Sequence, residues 1–171
     1  MSLEIESEFK ASPHRVTNPR VIWDQMTLVN NLWMPAGYRF RDGDHGRLLL
    51  HLPRVPQGIH LTVPNAIVRL RWVTASASGN ACKFYLDLSD ILAGTDSYDP
   101  AAFDFSAGLT DTSPAAGRCN ELDFAITGAN PQPGRELIAV LRRDRATPDA
   151  NDSLAADVIV TSICFHADKA A

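Results

Sequence analysis

Three kinds of side chain in this sequence could do chemistry, and each lacks a part that its chemistry needs. Histidines at positions 45, 51 and 60 could ligate a metal, but none lies two residues from another. A strand-borne metal site needs alternate residues, because only those share a face. Asp42 and Asp44, in RDGDHG, alternate like the first ligands of a calcium loop, yet no glutamate follows to close it. Asp144, Asp149 and Asp152, with Asp157 just beyond, make a second oxygen-rich stretch. The same composition makes hairpin turns, since Asp and Asn tolerate left-handed backbone and bond their own main chain. Calcium or turn, both remain open for that loop. No Gly-x-Ser-x-Gly elbow and no phosphate-cradling GxxxxGK loop occur. The acidic residues between Asp87 and Asp123 could serve glycoside hydrolysis only if the fold set two of them across a cleft. The expectation is therefore a protein that is not an enzyme, with no cofactor and no metal.

Aromatic residues offer a different chemistry, because sugar rings stack on exposed aromatic faces. Trp72 falls on the apolar side of an alternating run and is expected in the core. Trp23 and Trp33 lie in less regular sequence and are expected to contact a partner chain, with sugar binding as the second use. Tyr98, Phe103 and Phe105, in the turn-rich stretch 89–120, form another candidate sugar platform.

These residues must be held by strands. Ala66, Val68, Leu70 and Trp72 alternate with Ile67, Arg69, Arg71 and Val73, the period of a half-buried antiparallel strand. After ASASGN the alternation resumes with Cys82, Phe84, Leu86 and Leu88, so the two runs are expected to form a hairpin. Within 89–120, SDIL and PAAFDF could each make a helical turn. ELDFAIT, GRELIAVLRR and DVIVTSICF supply three more strands. The last is apolar on both faces and so is expected at the centre of a sheet. RLLLHLP reads as a buried strand closed by Pro53. About eight strands at this spacing predict an all-β antiparallel sandwich, jelly-roll-like. Residues 21–171 form that single domain. Residues 1–20 are expected to be an extended arm, with Leu3, Ile5 and Phe9 partly alternating ahead of Pro13 and Pro19.

Composition bounds the partners. The chain has 171 residues, 45% hydrophobic and 21% charged, enough to bury roughly 70% of its unfolded surface without a disulfide or metal. A net charge of −4 argues against nucleic acid, which needs a concentrated basic face. No apolar run approaches the ~18 residues of a membrane span, and the N-terminus lacks the pattern of a signal peptide. Cys82, Cys119 and Cys164 cannot all pair; Cys82 and Cys164, inside apolar runs, are expected to be buried free thiols, consistent with a reducing compartment.

In order, VRLRWVTASASGNACKFYLDL, ELDFAITGA and PGRELIAVLRRDRATPDANDSLAADVIVTSICF form a cadence that resembles jelly-roll domains of tailed bacteriophages, found in head decoration (cement) proteins and tail appendages. The resemblance covers about residues 64–166. It implies a structural virion protein, assembled in the host cytoplasm as a homotrimer, that binds the major capsid protein and stabilises the outer head surface. Ile5, Phe9, Trp23 and Trp33 are the expected contact residues. The alternative is a carbohydrate- or receptor-binding sandwich module of a phage tail or fibre.

Overall fold

The computed structural model describes residues 21–24, 26–29, 32–52, 67–76, 79–92, 94–96, 102–126, 132, 134–144 and 151–166. The expected arm, with Ile5 and Phe9, lies outside the described residues. The elements begin with β1 (Val21–Asp24), β2 (Thr27–Val29), β3 (Leu32–Met34), β4 (Gly37–Phe40) and β5 (His45–Leu52). They continue with β6 (Ile67–Thr74), β7 (Ala81–Ile91), β8 (Phe105–Thr112), β9 (Asn120–Ala125), β10 (Glu136–Asp144) and β11 (Val158–His166).

A five-stranded sheet runs β1-β4-β11-β6-β9 and a four-stranded sheet runs β5-β10-β7-β8. The antiparallel pairs are nested: β7 with β8, β6 with β9, β5 with β10 and β4 with β11. A single long ribbon folded over on itself gives this nesting, and its segments fall alternately into the two sheets. That is a jelly roll, as the strand spacing predicted.

The alternation seen in the sequence decides what each strand buries. Val68, Leu70 and Trp72 of β6 face Cys82, Phe84, Leu86 and Leu88 of β7 across the interior, all at most 1% exposed. Phe84 stands edge-on to Phe40 at 6.0 Å and to Trp72 at 5.9 Å, joining the sheets. Each such side chain contributes roughly 1.5–3 kcal/mol by leaving water. Phe124 and Ile126 complete the core from the β9 segment, and Leu137, Ala139 and Leu141 from β10.

Three expectations are corrected. β6 and β7 are not a hairpin: they belong to different sheets, so their connection is an arch from one sheet to the other. The arch starts where Thr74 Oγ1 accepts the Ser76 amide at 3.2 Å. It ends where the Ala81 amide donates to Ser153 Oγ at 3.0 Å. Among the described residues, no helical turn forms at SDIL or over 102–105 of PAAFDF. Ser89, Asp90 and Ile91 extend β7, and Phe105 opens β8. RLLLHL, residues 47–52 within β5, lies at a sheet edge: Leu48 and Leu50 point inward while Arg47 is exposed.

β11 is central, between β4 and β6. Its apolar residues do not all lie on opposite faces as strict alternation suggests. A bulge between Val160 and Ser162 shifts the register, so Val158, Val160, Ile163 and Phe165 all enter the core. Ile159 points outward, and there the hairpin of β2 and β3 covers it and Val73 with Met34, flanked by Leu32 and Ala75.

Candidate binding face

Alternation leaves each sheet an outer face, and the two differ in chemistry. On the five-stranded sheet, Arg69 of β6 lies beside Asp123 of β9, and Arg71 beside Glu121. Arg69 donates through Nε and Nη2 to the Asp123 carboxylate, both at 2.8 Å, and Arg71 Nε donates to Glu121 at 2.9 Å. That hydrogen bond, then the Glu121 charge, raises the Arg71 guanidinium above its ordinary value. Glu121 also lies 3.1 Å from Arg69 Nε, so two arginines and two carboxylates form one charge-balanced ladder. Exposed pairs of this kind contribute little stability.

The four-stranded sheet presents a different set. Lys83, Tyr85 and Asp87 point outward from β7, because Cys82, Phe84, Leu86 and Leu88 point in. Register sets Arg142 of β10 and Gly108 of β8 on either side of Tyr85, and Ser106 of β8 beside Asp87. Asp87 is 5% exposed despite facing outward. It accepts Arg142 Nε at 2.7 Å and Nη2 at 3.2 Å, and Ser106 Oγ at 2.5 Å. Charge-assisted bonds of this kind hold both side chains in one pose. The Tyr85 ring is half-buried, with the Arg142 guanidinium 5.1 Å and the Lys83 ammonium 4.9 Å from its centroid. Gly108 makes that pose possible: a Cβ there would lie 2.8 Å from Tyr85 Cε1 and 2.9 Å from Cδ1. The result is an ordered patch of one aromatic ring, one carboxylate, two cations and a hydroxyl.

The expected site residues fall elsewhere. Trp33 is 68% exposed on β3, with Met26 at 63% just ahead of β2. Trp23 pairs through its backbone with Tyr38. Trp72 is fully buried and its Nε1 donates to Asp111 Oδ2 at 3.0 Å. Phe105, expected to be an exposed platform residue, is 7% exposed and belongs to the core; alternation within β8 turns it inward. Phe103 is half-buried, and Tyr98 lies outside the described residues.

Part of the acidic loop lies among the described residues. Asp152 is buried and its carboxylate takes Arg143 Nε and Nη2, each at 3.1 Å, so it is spent on an arginine rather than offered to calcium. Asp149 lies outside the described residues, and Asp144 is placed by its backbone in β10. No group of three or more metal-ligating side chains converges among the described residues. Cys82 is buried, Cys164 half-buried and Cys119 exposed.

Sequence reasoning passed over Tyr85 and Arg142, and weighed Asp87 only as one of a catalytic pair of carboxylates. The polar alternation of Lys83, Tyr85 and Asp87 was a signal of an outward face. What linked it to Arg142, 55 residues away, is the adjacency of β7 and β10.

No protein-family model matches the chain, and no curated protein matches it. Among solved structures it is similar to the arabinose-bound α-L-arabinofuranosidase MgGH51, at 14% identity and a TM-score of 0.46 over 85% of this chain. It spans only 21% of that enzyme. It is also similar to TmCBM61 in complex with β-1,4-galactotriose, at 12% identity and a TM-score of 0.40, covering 78% of this chain and 71% of that one. At these scores neither likeness bears on what this chain binds.

Proposed function

We propose that the chain is a non-catalytic binding module that takes a carbohydrate on the outer face of β5-β10-β7-β8. The observation that carries this reading is the Tyr85 patch. A sugar offers a C–H face to an aromatic ring and vicinal hydroxyls to paired polar groups. Tyr85 supplies the ring. Asp87, Arg142 and Ser106 supply an acceptor and donors already ordered by one another, so little side-chain entropy is lost on binding. This is the role of a receptor-binding sandwich on a phage tail or fibre. A glycan array probed with the full chain and with Tyr85→Ala tests it. Binding by the full chain that falls roughly tenfold or more in the variant is expected. Silence across the array sinks the reading.

One observation favours a second reading, capsid decoration. Trp33 is exposed on the outer hairpin and Met26 just ahead of it, and exposed large apolar residues suit a subunit or capsid contact. On that reading a homotrimer grips the major capsid protein in the virion. Particles with and without the protein would then differ in heat tolerance, and equal tolerance counts against it.

A further inference from the structure

Resting on the carbohydrate reading, we infer that the ligand of this face is an acidic saccharide, its carboxylate or sulfate received between Arg47 and Arg142. Register sets these two arginines directly opposite each other on β5 and β10. Both point outward, since Leu48 and Leu141 beside them enter the core. Like charges facing across a strand pair are destabilising. On the other sheet each arginine is answered by a carboxylate. Here Asp87 engages Arg142 through Nε and Nη2 only. Among the described residues nothing takes Arg142 Nη1 or any donor of the exposed Arg47 guanidinium. Of the two flanking outward rows, one carries Leu49 and Val140, which bring no counter-charge, and the other pairs His45 with Asp144. An anion between the two guanidinium groups would relieve the repulsion and use donors that are already aimed outward, with the fork geometry that suits carboxylate and sulfate.

The row Arg47–Arg142–Tyr85–Gly108 crosses the whole sheet, a distance of about 14 Å at the usual strand spacing. A short oligosaccharide therefore fits across the strands, with its acidic group toward β5 and a ring face on Tyr85.

The test is an array of matched acidic and neutral oligosaccharides, such as galacturonate oligomers beside their methyl esters, probed with the full chain and with Arg47→Gln. The acidic forms should bind roughly tenfold or more tightly than the neutral forms at low salt. The preference should shrink as salt is raised, because exposed charges are screened. In Arg47→Gln it should be lost while binding of the neutral forms persists. Equal binding of acidic and neutral forms by the full chain, or a preference that survives Arg47→Gln, overturns the inference and leaves the carbohydrate reading standing. If neither class binds, both fall.

Discussion

Arg143 and Asp152 put a charge pair inside the sandwich, with side chains 0% and 1% exposed. Burial, the largest single effect, pulls the Arg143 guanidinium down, but its hydrogen bonds to Asp152 and the attraction of nearby acidic groups, Asp152 among them, together hold it above its ordinary value. Its remaining donors go to Ala156 O at 2.7 Å and Leu154 O at 2.6 Å, so one side chain pins the strand-connecting loop to β10. Removing one partner strands the other. Asp152→Ala should cost about 3–5 kcal/mol in urea denaturation, and Arg143→Met in the same background should recover part of that loss. Tyr38 gives a pH signature. Burial raises its hydroxyl above the ordinary value, so its contribution is intact at neutral pH and is lost as pH rises beyond about 10. Tyr38→Phe should flatten the alkaline limb of a melting-temperature profile. At the binding face, Gly108→Val should displace Tyr85 and weaken glycan binding while circular dichroism stays unchanged.

At the level of elements, the bulge in β11 is the feature with the clearest consequence. The residue accommodated there is Thr161, between Val160 and Ser162. Deleting Thr161 keeps Val160 and Ile163 facing the core, because the strand then alternates without interruption. Deleting Arg71 from β6, which has no bulge, turns Trp72 outward. The first deletion should leave a cooperative thermal transition and the second should abolish it. The β2–β3 hairpin acts as a lid on one part of the five-stranded sheet, and Met34 is its anchor over Val73 and Ile159. Met34→Ala should destabilise the domain by about 2–5 kcal/mol in the same denaturation assay.

For the whole molecule, the nested pairing joins β4 to β11 near opposite ends of the described chain. Such contacts form only after long loops close, which makes folding slow relative to helical domains of similar size. Self-association is the other whole-molecule property. Light scattering on the full chain and on a version lacking residues 1–20 separates the two functional readings. A trimer that needs those residues supports decoration, and a monomer in both forms supports an appended module. Trp33→Ser should keep the melting temperature, since the side chain is 68% exposed, and should reduce whatever association occurs.

The direction in which side chains face was legible in the sequence, because alternation is a property of the strand itself. Val68, Leu70 and Trp72, the run from Cys82 to Leu88, and Leu137, Ala139 and Leu141 all bury as their spacing requires. β8 was not legible: Ala107 and Gly108 at its middle are disfavoured in strands, and their neighbours on β7 stabilise the strand instead. Nor was the arch between β6 and β7, since the same turn-forming residues serve a hairpin or a crossing. The choice of neighbour belongs to the tertiary structure alone. Loop closure costs change only slowly with loop length, so the chain selects partners by the core they jointly enclose. That selection placed Arg142 and Arg47 beside the outward face of β7, and with them the candidate site.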